Sequence, residues 1–61
     1  MENSFAVSAG IWKIEQNTDT MEIVLFKYGH EVGRWEEEQL LSWTQLHDML
    51  LRESYLRRGE K

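Results

Sequence analysis

Residues 21–36 read MEIVLFKYGHEVGRWE, two runs rich in β-branched and aromatic residues on either side of a glycine, and how they pair decides the fold. Gly29-His30 suits a type II′ turn with glycine at the first central position, which makes EVGRWE the return strand of a hairpin begun by MEIVLFKY. In that register Phe26 stands across from Gly33 and Val24 across from Trp35, so the missing side chain at position 33 leaves room for a ring above it. Val24, Phe26, Tyr28 and Trp35 then share one face.

Toward the amino terminus, GIWKIEQ joins this hairpin through Asn17-Thr18-Asp19-Thr20, a composition typical of turns. The loop permits more than one register. With Gln16 opposite Met21, Trp12 and Ile14 share a face with Ile23 and Leu25. The ten residues before Ile11 are expected to be loosely ordered.

Toward the carboxy terminus, Ser42 and Gln45 fit a capping box, and Leu41 and Leu46 occupy the two positions of a hydrophobic staple. The helix is expected to start at Trp43 and run to about Arg58, with Gly59 in the left-handed C′ position. Steps of 100° place Leu46, His47, Met49, Leu50 and Leu51 on one arc, opposite Thr44, Gln45, Asp48 and Arg52. Arg57 interrupts the arc, and Tyr55 and Leu56 fall outside it. The last turn is therefore expected to project beyond the packed body and offer those two side chains to a partner.

The predicted fold is α+β, a single domain over 1–61. A three-stranded antiparallel β-meander, with strands over about 11–16, 21–28 and 31–36, is followed by one C-terminal α-helix over about 43–58 packed on the sheet. Trp35, Val24 and Phe26 with Leu46 and Leu50 form the main core, joined by Trp43. One helix covers one face, so the second face, carrying Trp12, is expected to meet another copy of the chain, as a homodimer, or a different protein. A chain of 61 residues buries only about 60% of the surface its unfolded form exposes. With no cysteine it has neither a disulfide framework nor a thiolate metal site to compensate, which leaves oligomerisation.

Charge narrows the partner. Residues 1–51 carry nine acids against three bases, and residues 52–61 four bases against two acids, for a net charge of −4. An acidic body disfavours a general nucleic-acid binder. No stretch is apolar over a membrane-spanning length and the start has no basic region followed by an apolar run, so the chain is expected to be cytoplasmic. Glu36, Glu37 and Glu38 lie four to six residues before the Ser42 cap, beyond the reach of the helix dipole. They are either solvated surface or an acidic docking patch for a protein with a basic surface.

Catalytic constellations are lacking. Histidine and carboxylate are neighbours only at His47-Asp48 and His30-Glu31, where adjacent positions form no dyad, and no ligand spacing of the H-E-x-x-H kind occurs. The serines lack a nucleophile elbow and the glycines form no phosphate loop. No enzyme activity, cofactor or metal is expected. The candidate partner-binding residues are Trp12, Glu36, Glu37, Glu38, Tyr55 and Leu56.

The spacing of Trp12 and Trp35 is similar to that in WW domains, which are also three-stranded, but the proline those modules need is absent. In outline, three antiparallel strands and a helix resemble AP2-type and integrase amino-terminal domains, which read DNA with the sheet. That resemblance implies a DNA-binding regulator using Lys13, Lys27 and Arg34 and the basic tail. In size and charge the chain is similar to small acidic accessory proteins of phages and mobile elements. The expected function is that of a regulator, inhibitor or adaptor acting by protein binding.

Overall fold

The computed structural model describes residues 3–58, arranged as an antiparallel sheet followed by one C-terminal helix. The sheet has four strands in the order β1-β2-β3-β4: β1 Ser4–Ala9, β2 Trp12–Asn17, β3 Glu22–Lys27 and β4 His30–Glu36. The helix, α1, spans Trp43–Leu56 and packs over β1 and β2. The expectation of three strands with a loose amino terminus is thus corrected: SFAVSA pairs along the whole of β2, from Ser4 opposite Asn17 to Ala9 opposite Trp12. Two physical features form this hairpin. Phe5, Val7 and Ala9 alternate with small residues at the period of a half-buried strand, and Gly10 supplies φ +63° at the first central position of a two-residue turn, the type II′ requirement.

The second two-residue turn is Tyr28-Gly29, with Lys27 paired to His30. Both central residues have positive φ, 54° and 79°, which makes it type I′. The predicted Gly29-His30 turn was one residue late. That alone would move each pairing by two residues, and a bulge at Leu25/Phe26 takes one back, so that Leu25 faces Gly33 and Ile23 faces Trp35, a net slip of one. A slip of one residue turns every side chain to the other face of a sheet. Ile23 and Leu25, not Val24 and Phe26, therefore point into the core. The group over Gly33 is also different: an added Cβ would meet the Arg57 guanidinium at 3.0 Å and the Trp35 ring at 3.5 Å. By contrast, β2 and β3 pair with Gln16 opposite Ile23, two residues from the expected register. A shift of two preserves the faces, and Trp12, Ile14, Ile23 and Leu25 do share one.

Tyr28 sits in a conformation that asparagine or glycine holds with less strain, and its side chain is 70% exposed. Tyr28→Asn, creating Asn-Gly in a type I′ turn, is expected to stabilise the domain by about 0.5–1 kcal/mol. Chemical denaturation checks this through a higher midpoint at unchanged slope.

The core consists of Val7, Ile14, Ile23, Leu25, Leu46 and Leu50, with Ala9, Trp12, Trp35, Leu41 and Met49 packed around it. α1 begins where the sequence places it. The Gln45 amide donates to Ser42 Oγ at 3.2 Å, and the Ser42 amide donates to Gln45 Oε1 at 2.9 Å. The helix ends at Leu56 with Arg57 as C-cap, and the expected Gly59 cap lies outside the described residues. Among the described residues no helix is long and apolar enough to cross a membrane.

Among the described residues one polar side chain is fully buried. Gln16, 1% exposed, donates from Nε2 to the Met21 carbonyl at 3.1 Å and the Gln39 carbonyl at 2.9 Å, and accepts from the Leu41 amide at 2.8 Å. Every hydrogen-bonding group of the carboxamide is used. The clamp fastens the connection from β4 to α1 onto the sheet.

Candidate protein-interaction surface

The sheet face away from α1 has an apolar floor, Val24 and Phe26, under a lattice of charge. Lys13 Nζ lies 4.7 Å from the Phe26 ring centroid and pairs with Glu15 at 3.0 Å. Arg34 bridges Glu22 at 2.7 Å and Glu31 at 2.9 Å. Its hydrogen bonds hold the Glu31 carboxyl below the ordinary glutamate range, and its own pKa is raised first by Glu31 and then by the charge of Glu22. These pairs are exposed and contribute little stability, but they cover the apolar floor.

This face is therefore not the one that carries Trp12. Trp12 lies on the helix side, half-buried against the core, with Lys27 Nζ 5.1 Å from its ring. Its assignment to the uncovered face is corrected. The same register separates the three cations of the DNA-binding alternative: Lys13 and Arg34 lie on the open face, each paired with carboxylate, and Lys27 lies on the other.

Glu36 ends β4, and Glu37 and Glu38 start the connection to α1. The Glu37 amide donates to Met21 at 3.4 Å, extending the β3–β4 ladder by one pair. No acid occupies the first turn of α1, as the late helix start requires. Trp12 stands at the opposite end of the sheet, beside the Gly10-Ile11 and Tyr28-Gly29 turns, so the structure does not gather the acids and Trp12 into one site.

Tyr55 and Leu56 are 70% and 66% exposed, in the expected position. The sequence reading missed what continues from them. Trp43, placed in the core by expectation, is 57% exposed, and Leu51, placed on the buried arc, is 47% exposed. Trp43, His47, Leu51 and Tyr55 recur at intervals of four and form one ridge along α1. The His47 ring stacks on Trp43, with centroids 5.2 Å apart and planes 7° from parallel. At 1.5 Å per residue the ridge is about 18 Å long. The acids 36–38 precede its Trp43 end, and Arg58 lies 5.6 Å from the Tyr55 ring at the other. The signal was in the spacing, but an i, i+4 apolar row reads equally well as the margin of a core arc.

Among the described residues no cluster of three or more histidine, aspartate or glutamate side chains is placed to hold a metal ion. No protein-family model matches the chain, and comparison with curated proteins and with solved structures finds no match.

Proposed function

We propose that this chain is a small acidic protein-binding module, an accessory or regulatory protein of the adaptor or inhibitor kind. It works as an intracellular homodimer, by occupying a partner rather than by catalysis. The observation that carries this reading is the ridge Trp43–His47–Leu51–Tyr55. Large apolar side chains at helical spacing, outside a helix whose inner face is already filled, have the form of helix-in-groove anchors. The matching partner surface is an apolar groove with basic residues where it meets Glu36, Glu37 and Glu38, and Leu56 extends the contact at the far end. Opposite charge there speeds association and fixes direction along the groove.

The test is site-specific photo-crosslinking, with the reactive group at position 51 in one variant and at position 24 in another. A partner captured at 51 and lost on Trp43→Ala or Tyr55→Ala, substitutions expected to change stability by less than about 0.5 kcal/mol each, supports the reading. Capture at 24 alone moves the site to the open sheet face and overturns it.

A further inference from the structure

The two outer edges of the sheet differ in kind. β4 carries His30, Glu31, Arg34 and Glu36, is displaced from its ladder by a bulge, and has its Val32 carbonyl taken by Arg57 Nη1 at 3.2 Å. Charge, a bulge and cover are the devices by which proteins stop an edge strand from pairing with another chain. β1 has none of them. Ser4–Ala9 contains no charge, no proline and no bulge, and pairs with β2 without a register shift.

The inward groups of β1 follow from its turn. Ala9 and Trp12 flank a two-residue loop and so form a hydrogen-bonded pair, and the Thr18 amide donates to the Asn3 carbonyl at 2.7 Å six pairs further down. Residues 3, 5, 7 and 9 thus use their backbone groups toward β2. Ser4, Ala6 and Ser8 point theirs outward, and among the described residues none takes them up. Their side chains, all small, lie on the open face.

We infer that β1 is a self-pairing edge, and that a second copy of this chain docks on it antiparallel about a two-fold axis at Ala6, joining the two sheets into one of eight strands. The register is self-complementary. Ala6 exchanges two backbone hydrogen bonds with the partner's Ala6, and Ser4 does the same with the partner's Ser8. No like charges meet, which suits two chains that are each acidic. On the helix side Phe5, 37% exposed, comes opposite the partner's Val7. Since α1 lies over β1 and β2, the two helices run side by side on one face, roughly 10 Å apart, a distance at which helices pack without collision. This names one partner within the reading proposed above and does not depend on what the helix ridge binds.

Sedimentation equilibrium of the full chain from micromolar to millimolar concentration is the first arm of the test. A mean mass rising from 7.3 kDa toward twice that value is expected. Ala6→Pro removes an outward amide that bonds to nothing among the described residues, so the monomer keeps its fold while pairing weakens at least tenfold. Ala6→Lys is the second variant, because it faces Glu15 within the chain but the same lysine across the axis. Hydrogen exchange supplies the signature: the amides of Ser4, Ala6 and Ser8 slow with rising concentration, while those of Phe5, Val7 and Ala9 are slow throughout. A chain monomeric at every concentration overturns the proposal and leaves the ridge to its own crosslinking test. So does a dimer that survives both variants or leaves those three amides in fast exchange.

Discussion

Gln16→Leu is expected to remove most of the protein's stability. The substitution keeps the volume but leaves the Gln39 carbonyl and the Leu41 amide without the partner that now satisfies them, and leaves the Met21 carbonyl with the long bond from the Glu37 amide alone. Each group orphaned away from water costs about 1–3 kcal/mol, and rehydration on the exposed side of the clamp brings the total to about 2–4 kcal/mol. The core of a chain this size supplies no more than about 3–5 kcal/mol of net stability. Gln16→Glu gives a sharper form of the same result. The introduced carboxyl can accept from Leu41 in either state, but only when protonated can it donate to a carbonyl, and burial raises its folded-state pKa above the unfolded value. Its stabilising contribution is therefore fully present below the ordinary glutamate range and is lost as the pH rises through the folded value. Urea melts at a series of pH values measure this. An insensitive Gln16→Glu variant would show that the connection to α1 is held by something other than this side chain.

Leu25→Ala and Phe26→Ala are expected to separate by more than their neighbouring positions suggest. Leu25 has no exposed surface and sits among Ile14, Ile23, Leu46 and Leu50, so truncation leaves a cavity and costs about 2–5 kcal/mol. Phe26 is half-buried under Lys13 on the open face, where solvent fills the gap, and its loss is expected to cost about 1 kcal/mol. Thermal unfolding of the two variants decides which face of β3 is the core. The opposite order would restore the register in which Phe26 opposes Gly33.

The helix was fully legible at its start, because a capping box and a staple are local devices that depend on four or five adjacent residues. Which of its faces is buried was less so. The 100° arc included His47 and Leu51, yet a helix resting on two strands buries a narrower strip, Leu46 and Leu50 with Met49 at the flank. The sheet was legible in its elements but not in its pairing. The Tyr28-Gly29 turn is hard to read because tyrosine disfavours positive φ, whereas Gly29-His30 has glycine at the first central position of a type II′ turn. β1 was missed although its alternation of Phe5, Val7 and Ala9 before Gly10 obeys the same rule that located β2. Small residues between those positions made the run look unstructured. Gln16 gave no sequence signal at all, since a glutamine in a strand is ordinarily solvated, and only the connection folding over it makes it interior. The exposed ridge was half-read, with Tyr55 and Leu56 identified and Trp43 and Leu51 assigned inward.

Every strand in this sheet pairs with its neighbour in sequence, two of the three connections needing only two residues. Such a meander closes no large loop as it zips, which favours rapid folding for a β-rich chain. The helix is expected to dock last, since its seat exists only once β1 and β2 have met. A folding or locally opened molecule without its helix would thus display an apolar sheet face next to the bare β1 edge. Under dilute conditions that intermediate simply closes. In a crowded or heated solution the edge proposed to pair two native copies would recruit unfinished ones just as readily, and the ratio of folded to aggregated product would then depend on how quickly α1 docks after β1 forms.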